Sequence, residues 1–522
     1  MNSSFLTLVA FLFVRACRAT GRDSEEELFT NSFVIEFGRN VDEEVVQLVG
    51  ESLRIPHLHK VMGFDNVYHF MDNNGNKRSR REVTEYLTTI KSNPHVEWVE
   101  QQKLLIREKR NGIAKFFSLP SLVEDSAYQR VQQYKSNVTL SQIAPVARLS
   151  FQDPNFHDQW YLCNTGQTGG PPGYDLNIES AWSRGYSGRG VVICILDDGV
   201  DHSHPDLVEN YDAEASYDFN DLDDVNHDPT PRNTVENGHG TRCAGEVAAV
   251  ANNTVCGVGV AFGARIGGVR MLDGEVTDVI EAQALLFHNQ HVDIYSTSWG
   301  PTDNGRTMDR PGRLMAEALR RGVAEGRGGK GSVYLWAAGN GGSADDCNAD
   351  GYASSVYTLT VGSVTDRGRT PYYAEPCSAM LAVVFTGGAP LRPSPRELAS
   401  GRGKVAKIVT TDLNHGCTKD FQGTSSAAPL AAGIVALALQ SNPDLTWRDV
   451  QHIVVATARI PSPDDDDDGG GWWENGAGRH SHTRYGFGVM DASHVVETAR
   501  TWRAVAPQHT CAVTYEGGAR CG

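Results

Sequence analysis

The sequence lacks an apolar run long enough to cross a membrane as a helix. It contains 10 cysteines but no Cys-X-X-Cys pair or Cys/His array of the kind that binds zinc. Basic residues are fewer than acidic ones: 47 Lys and Arg against 64 Asp and Glu, which gives a formal net charge of −17. These features argue against a membrane anchor, a zinc site, and binding to nucleic acid or anionic membranes, whereas the negative charge suits cationic partners.

The N-terminus has the pattern of a secretory signal peptide. An apolar run from Phe5 to Val14 is followed by small residues near Ala16–Ala19, and the run is too short to span a membrane. We therefore expect residues 1–19 to be a signal peptide and the mature protein to be soluble. Its expected location is the secretory pathway (Golgi or secretory vesicles) or the exterior, where a few disulfides form. Glycosylation sequons at Asn137 and Asn252 fit this expectation.

Residues 20–110 have the pattern of a small α+β unit. Strands are predicted at Ser32–Phe37 and Val67–Phe70, and amphipathic helices at Asp42–Ser52 and Arg81–Lys91. The unit ends in the dibasic stretch Arg107-Glu108-Lys109-Arg110. Residues 111–150 lack clear periodicity, and we expect them to be a linker or an extended arm.

A different pattern covers residues 151–503. Short runs rich in Val and Ile alternate there with helical stretches, which predicts an α/β domain whose mostly parallel sheet is covered on both sides. The predicted strands are Val191–Leu196, Arg265–Val269, Asp293–Ser296, Val333–Ala338, Leu359–Val361 and Ile408–Thr410. The stretches 390–403 and 461–471 have the composition of surface insertions.

Three segments of this domain carry residues suited to nucleophilic catalysis. Asp197 comes at the end of the buried run Val191–Leu196, at the sheet edge where α/β proteins place ligands. His239 lies between two glycines at the start of a predicted helix. Ser425 opens a long apolar helix, where free backbone N–H groups and the helix dipole favour a developing oxyanion.

Together these residues predict the cleavage of a peptide bond. Ser425 Oγ would attack the carbonyl, His239 would accept and later return its proton, and Asp197 would hold the imidazole. Asn340, in a glycine-rich segment after another buried strand, would donate to the oxyanion. Each residue alone has an ordinary structural interpretation as a cap, turn or loop residue, but their joint occurrence in order favours catalysis.

The chain order Asp, His, Ser is that of subtilisins, and longer strings resemble the kexin/furin-like proprotein convertases of that superfamily. These strings are Ile195–Gly199, His239–Asn253, Gly268–Asp278, Ser298–Pro301 and Thr446–His452. The resemblance covers residues 30 to 508 or thereabouts. It implies a subtilisin-like three-layer fold and a monomeric, calcium-dependent serine endoprotease. Such an enzyme processes secretory precursor proteins after paired basic residues, in the form Arg-X-Lys/Arg-Arg.

Acidic residues beside the catalytic strings supply the charge that a buried Arg or Lys side chain requires. The resemblance assigns Asp303 and Asp350, with the Ser298-Trp299-Gly300-Pro301 backbone, to the pocket for the residue before the cut. It assigns Asp198 and Glu236 to the next residue back, and Glu281, Asp309 and Tyr352 to the fourth. Thr302 departs from the family pattern, which has an acid there.

The resemblance also implies a zymogen. Cleavage after Arg110 would release residues 20–110, which act as an intramolecular chaperone and inhibitor in this family. The basic run Lys77–Arg81 resembles the family's second, internal site, with cleavage after Arg81. His69 matches the family's pH sensor, since a buried neutral histidine is destabilised on protonation.

Calcium sites and disulfides are likewise implied by the resemblance. The candidate ligands form three groups: Asp153, Asp206 and the loop positions Val250, Asn253, Val255 and Gly257; Asp303 and Glu375 with Asp345 or Asp346; and Asp218, Asp223 and Asp228. The implied disulfides are Cys256–Cys417 and Cys347–Cys377.

The resemblance ends near the C-terminus. In the family a β-rich P domain follows the catalytic domain, and residues 504–522 correspond to its first part only. Two other interpretations therefore stay open: a catalytically inactive secreted binding protein or truncated isoform, and a secreted subtilisin of broad specificity. The array of acids argues against the last of these.

Overall fold

The computed structural model describes residues 28–55, 58–71, 80–110, 150–221, 225–393, 405–461, 471–503, 511–513 and 519–521. The chain forms two compact units, residues 1–105 and 106–522. The predicted signal peptide, most of the predicted linker, the Asn137 sequon and Asp223 lie outside the described residues. Within the described ranges, no helix is both long and apolar enough to span a bilayer.

The first unit is an antiparallel sheet with two helices. Its elements are β1 (Phe29–Phe37), α1 (Glu43–Ser52), β2 (His59–Lys60), β3 (Val67–Met71), α2 (Arg80–Lys91) and β4 (Val96–Lys103). The strands have the order β2-β3-β1-β4 in the sheet. The two predicted strands and two predicted helices are confirmed, whereas β2 and β4 were not predicted. β4, with the sequence VEWVEQQK, is too polar to show a strand pattern clearly.

Alternation along β1 builds the core of this unit. Phe33, Ile35 and Phe37 are buried on one face, and the Phe33 ring stacks on Phe70 of β3 with the centroids 5.3 Å apart. Val46 and Val49 of α1 pack into the same cluster. This packing of helix against sheet is what period-2 and period-3.6 apolar patterns dictate.

His69 occupies the middle of β3, between Val34 of β1 and His59 of β2. Its Nε2 atom hydrogen-bonds the Ser32 hydroxyl. Burial, with a smaller contribution from His59, lowers the pKa of His69 to about 4. The folded unit therefore holds this ring neutral. Arg81 lies in the first turn of α2, and its side chain is outside the described residues.

We expect the first unit to lose stability as the pH falls from about 6.5, the ordinary histidine pKa, toward 4. Below 6.5 the unfolded chain binds a proton that folded His69 binds only near pH 4, so protons favour unfolding. Hydrogen exchange of β1 and β3 in the full-length Ser425→Ala chain should therefore be faster at pH 5.5 than at pH 7, after correction for intrinsic rates.

A His69→Leu variant should show less of this acceleration, whereas His95→Leu at an exposed position serves as the matched control. Equal pH dependence in the His69 and His95 variants would contradict the role of His69.

The second unit is built on a seven-stranded parallel sheet. Its strands are β6 (Val192–Asp197), β7 (Tyr217–Asp218), β8 (Arg265–Arg270), β9 (Ile294–Thr297), β11 (Val333–Ala337), β12 (Thr358–Val364) and β13 (Ala382–Phe385). They have the order β13-β12-β11-β9-β6-β8-β7 in the sheet. All six residues of β6 are buried, as expected for a central parallel strand. Five of the six predicted strands are confirmed within this sheet.

Helices pack against this sheet and complete the α/β fold. They are α3 (Glu179–Ser183), α4 (His239–Ala248), α5 (Asp278–Leu286), α6 (Arg313–Gly329), α7 (Ala427–Ser441), α8 (Trp447–Thr457) and α9 (Ala492–Thr501). Every residue of α7 from Ala427 to Leu439 is buried. A helix that is apolar all round is a core helix, and α7 begins two residues after Ser425.

The prediction that Ile408–Thr410 belongs to the parallel sheet is wrong. This run lies in an antiparallel hairpin of β14 (Ile408–Asp412) and β15 (Gly416–Phe421). Asn414 and His415 take left-handed backbone conformations that reverse the chain between the strands. Its apolar residues are buried like those of a sheet strand, so the pattern alone does not distinguish the two.

Two disulfides fasten loops of this unit. Cys256–Cys417 ties β15 to the loop after α4, and Cys347–Cys377 closes a 30-residue separation. Both implied pairings are confirmed. The remaining strands form two-stranded antiparallel pairs: β5 (Glu108–Lys109) with β10 (Trp299–Gly300), β16 (Trp473–Glu474) with β17 (His480–Ser481), and β18 (Cys511–Val513) with β19 (Ala519–Cys521).

Candidate active site

The structure brings Asp197, His239 and Ser425 together. His239 Nδ1 lies 2.8 Å from Asp197 Oδ2, and His239 Nε2 lies 2.8 Å from Ser425 Oγ. Asp197 ends β6, His239 begins α4, and Ser425 precedes α7. All three residues are almost fully buried. A hydroxyl, an imidazole and a carboxylate in this chain of hydrogen bonds can generate a nucleophile.

The neighbours of this triad hold the imidazole in place. The Asp198 carboxylate accepts from the backbone N–H groups of His239, at 3.1 Å, and Gly240, at 2.8 Å, and thereby anchors the start of α4. The Phe421 ring meets the His239 ring edge-on with centroids 5.4 Å apart. A Cβ at Gly240 would collide with the Gly199 carbonyl oxygen, so glycine is required there.

The segment Arg107–Arg110 lies beside this triad within the second unit. Glu108 and Lys109 form β5 and pair antiparallel with Gly300 and Trp299. The Arg110 N–H donates to the Ser298 carbonyl oxygen at 3.0 Å, and the Ser425 N–H donates to the Arg110 carbonyl oxygen at 3.1 Å. The carbonyl of Arg110 is therefore held at the backbone amide of Ser425.

The Arg110 side chain fills a pocket at the carboxyl ends of the strands. It is only 1% exposed. Its guanidinium donates to the Asp350 carboxylate and to the Ala337 carbonyl oxygen, and it lies 3.9 Å from Asp303. Gly300 forms the wall, because a Cβ there would collide with the guanidinium. Burial by itself lowers the pKa of Arg110, but Asp350 and Asp303 outweigh it, and the net pKa is raised.

Lys109 is bound by three oxygens. Its ammonium donates to Asp198 Oδ2 at 2.7 Å, to the Glu236 carbonyl oxygen at 2.7 Å and to Asn237 Oδ1 at 3.1 Å. The expected contact with Glu236 is made by its backbone, and its side chain is exposed. Burial beside Asp197 raises the pKa of Asp198 to about 6, and the positive charge of Lys109 opposes that rise.

Arg107 meets the three side chains predicted for the fourth pocket. Its Nε donates to Glu281 Oε1 at 2.6 Å, one terminal nitrogen donates to Asp309 Oδ2 at 2.8 Å, and the other donates to the Tyr352 hydroxyl. The guanidinium also lies over the Tyr352 ring, 4.9 Å from its centroid. Burial raises the pKa of Glu281, and Arg107 opposes that rise. Each of these two buried charges therefore depends on the other for compensation.

Asn340 lies close to the nucleophile with its amide oriented by Thr424. Its Oδ1 accepts from the backbone N–H and the hydroxyl of Thr424, both at 3.0 Å. The Asn340 Nδ2 is buried and has no hydrogen-bond partner among the described residues. An asparagine fixed at one end and with unused donors at the other suits an oxyanion in this cleft.

Asp303, Asp345 and Glu375 form a carboxylate cluster, with one oxygen of each within 4.8 Å of the others. Burial and repulsion by Asp303 raise the pKa of Glu375 to about 9. Oxygens crowded in this way fit a hard cation, which would remove the repulsion. Asp346 is not part of the cluster: it is exposed, and its carboxylate accepts from the Asn348 N–H. The sequence left these two aspartates open, and of the two it is Asp345 that lies in the cluster.

A second group of oxygens surrounds Asp206. Asp153 accepts from the N–H groups of Asn252 and Asn253, and Asp206 accepts from the Asn253 amide at 2.7 Å. Burial raises the pKa of Asp206 to about 7, and Asp153 adds repulsion. The side chains of Asp153, Asp206 and Asn253 therefore lie close together. Their oxygen atoms, like those of the first cluster, fit a hard cation. The loop positions Val250, Val255 and Gly257 donate N–H groups to Asp206 or Asn253.

The two described members of the third predicted calcium group contact other side chains of the protein. Asp218 is paired with Arg270 at 2.5 Å and accepts from the N–H of Asn220. Asp228 contacts His202 at 3.2 Å and accepts from Thr230. Arg270 compensates the charge of Asp218, whereas Asp228 is exposed, and the assignment of both residues to a calcium site stays a prediction.

Several groups at the cleft were not predicted from the sequence. The Ala337 carbonyl, the Asn237 side chain, Thr424 and Phe421 all contact Arg110, Lys109, Asn340 or His239. A backbone carbonyl carries no sequence signal. Asn237 and Thr424 are adjacent to predicted residues, and that adjacency is the one signal that points to them.

Comparison with known proteins agrees with this geometry. The sequence profile of the subtilase family (peptidase S8) matches residues 188–488, and that of the peptidase S8 pro-domain matches residues 32–110. "PC3-like endoprotease variant B" of Hydra vulgaris is 42% identical over 498 residues, which are 95% of this chain and 62% of that protein. The human "Proprotein convertase subtilisin/kexin type 4" is 49% identical over 430 residues, 81% of this chain and 48% of that protein.

A crystal structure of a serine protease of Aeromonas sobria shares the fold, with a TM-score of 0.60 and 24% identity over 73% of this chain and 74% of that one. The chain spans less than two thirds of the length of the curated relatives above. The similarity to kexin/furin-like convertases and the subtilisin-like fold are confirmed. The chain belongs to the subtilase family of peptidase S8 and includes that family's pro-domain.

Proposed function

We propose that this chain is a serine endopeptidase that cleaves secretory precursor proteins after the sequence Arg-X-Lys/Arg-Arg. The observation that carries the proposal is the position of the chain's own Arg107–Arg110. This segment lies along the cleft with its last carbonyl oxygen 3.1 Å from the Ser425 amide nitrogen and its three basic side chains in separate acidic pockets.

The chemical step follows from the hydrogen bonds of the triad. Ser425 Oγ attacks the carbonyl carbon of the residue in the Arg110 position while His239 Nε2 takes the proton. Asp197 holds Nδ1 at 2.8 Å, fixes the tautomer and stabilises the imidazolium. The same imidazolium then protonates the departing amine, and water completes the hydrolysis by the reverse sequence.

The developing oxyanion has two donors in the cleft. The Ser425 N–H already points at the Arg110 carbonyl oxygen. Asn340 Nδ2 is the second donor, since it has no hydrogen-bond partner among the described residues and its amide is oriented by Thr424. Donors fixed before the reaction stabilise the transition state without reorganisation, and loss of one costs about 100- to 1,000-fold in kcat.

Specificity arises from burying positive charge. A guanidinium placed beside Asp350 or Glu281 is compensated, whereas an apolar residue there would leave those buried carboxylates unpaired. Removing one partner of a buried ion pair costs about 3–5 kcal/mol. This penalty separates the proposed enzyme from a subtilisin of broad specificity.

The proposed zymogen consists of residues 20–110 ahead of an arm at 111–150 and a catalytic domain at 151–503. Cleavage after Arg110 leaves the product carboxylate in the cleft, where residues 20–110 act as inhibitor and folding aid. A second cleavage after Arg81, promoted by protonation of His69, would release them. Residues 106–110 group with the second unit because they occupy its cleft, which agrees with an inhibitory product.

The proposed cofactor is Ca2+ at the Asp303–Asp345–Glu375 cluster and at Asp153–Asp206–Asn253. The ion supplies positive charge that offsets the repulsion among buried carboxylates. Asp303 connects the first of these sites to the active site, because its Oδ2 accepts from the Asn340 N–H at 2.7 Å while Oδ1 lies 3.9 Å from Arg110.

Expression of the full-length chain with calcium should yield a fragment beginning at Asn111, identified by N-terminal sequencing. Ser425→Ala should abolish it. The mature protein should hydrolyse a peptide ending in Arg-Glu-Lys-Arg at least about 1,000-fold faster than one ending in Ala-Ala-Pro-Phe, since several buried carboxylates are unpaired in the latter. Equal turnover of the two peptides would indicate a broad-specificity enzyme, and absence of self-cleavage would favour a non-catalytic binding protein.

Asp345→Asn should weaken calcium binding by about tenfold or more, whereas Asp346→Asn should leave it unchanged. The measurement is the thermal midpoint of the full-length Ser425→Ala chain over a calcium titration. Equal calcium responses of the two variants would contradict the assignment of Asp345.

Without calcium, the thermal midpoint of the Ser425→Ala chain should fall as the pH rises from 4.5, the ordinary pKa of Glu375, toward 9. The reason is that folded Glu375 retains its proton in this range and the unfolded chain does not.

A further inference from the structure

Helix α4 presents one stripe of side chains to the turn that carries Ser425. His239, Cys243 and Glu246 follow one another at intervals of four and three residues, which places them on one face of the helix. His239 Nε2 contacts Ser425 Oγ at 2.8 Å, and Cys243 Sγ lies 3.7 Å from the Ser425 carbonyl oxygen. Glu246 continues the stripe and interacts with Ser426.

Glu246 is the acidic member of this stripe, and the mechanism above does not use it. The residue is 1% exposed. Neither of its carboxyl oxygens has a partner in hydrogen-bonding geometry among the described residues, and the same holds for the buried hydroxyl of Ser426. Buried polar groups without partners are costly, and a small side-chain adjustment would join these two to each other.

Within the part of the chain that the structure describes, no positively charged side chain acts on the Glu246 carboxyl group. Burial raises its pKa well above the usual range, and Ser426 opposes the rise. The titratable groups that face it are Tyr161, from the segment before α3, and Cys243, on its own helix. Burial raises the pKa of both, so they are neutral near pH 7. Where β14 packs against α4, Thr410 and Thr411 lie nearest to Gly245 and donate to the carbonyl oxygens of Arg242 and Thr241.

We propose that Glu246 is a positioning residue. As a neutral carboxylic acid it donates a hydrogen bond to Ser426 Oγ and thereby fixes the turn Thr424–Ser426 that presents Ser425 to His239. The expected effect of Glu246 on the reaction rate rests on the proposed proteolytic function. The protonation state of its carboxyl group does not. Ionisation would place an unpaired anion behind the nucleophile and loosen the turn.

The first test compares Glu246→Ala with Glu246→Gln, which keeps the shape and a donor for Ser426. Glu246→Ala should lower kcat about tenfold, the equivalent of one hydrogen bond, without changing KM, because the basic pockets are untouched. Glu246→Gln should restore most of kcat. It should also abolish an alkaline fall in kcat that the unsubstituted enzyme shows as Glu246 ionises.

Glu325→Ala and Glu325→Gln, at an exposed position of α6, are the matched controls and should leave kcat and its pH profile unchanged. The proposal is overturned if the Ala and Gln variants at position 246 have equal kcat, or if Glu246→Gln retains the alkaline fall.

The second test needs no catalytic activity. An infrared difference spectrum at pH 7 between the full-length Ser425→Ala chain and its Glu246→Gln derivative should contain the C=O stretch of one protonated carboxylic acid. Absence of that band overturns the inference even if peptides are hydrolysed. A wild-type chain that hydrolyses no basic peptide while the band is present overturns the proposed function instead and leaves the neutral Glu246 intact.

Discussion

The burial of positive charge against buried carboxylates is the interaction on which the rest of this cleft depends. The side chain of Arg110 is 1% exposed, yet its guanidinium stays charged because Asp350 contacts it and Asp303 lies 3.9 Å away. Glu281 and Asp198 stand in the same relation to Arg107 and Lys109. Desolvating either partner alone would be strongly unfavourable, so each pocket is stable only when a cation fills it or a small ion offsets its charge.

The acidic pockets and the catalytic groups share residues. Asp198 binds Lys109 and also anchors the backbone of His239, and Asp303 lies near Arg110 and also accepts from the Asn340 N–H. A basic side chain in a pocket therefore stabilises the groups that hold the proposed general base, His239, and the proposed oxyanion donor, Asn340. In the proposed enzyme this arrangement couples recognition of the substrate to the geometry of the reaction, since binding energy can be used to order the site.

The sequence predicts the parallel sheet and the positions of the three triad residues, because both have strong local patterns. Buried strands such as Val192–Asp197 form continuous apolar runs, and the glycines on either side of His239 mark close approaches. Other features arise only in three dimensions. Ile408–Asp412 has the composition of a sheet strand and becomes a hairpin, Asp345 and Asp346 differ only in which way each carboxylate turns, and Asp218 is neutralised by the distant Arg270. Contacts of this kind depend on tertiary packing that no local pattern encodes.

The central claim is that an activated Ser425 lies beside pockets that recognise an Arg-X-Lys-Arg segment. A peptidyl phosphonate ending in Arg-Glu-Lys-Arg tests it directly, because such reagents bond covalently to an activated serine. Peptide mapping by mass spectrometry of the mature protein should find a single adduct on Ser425, absent from a His239→Ala variant and much slower to form with an Ala-Ala-Pro-Phe phosphonate. An adduct at another residue, or equally fast labelling by both reagents, would contradict the account.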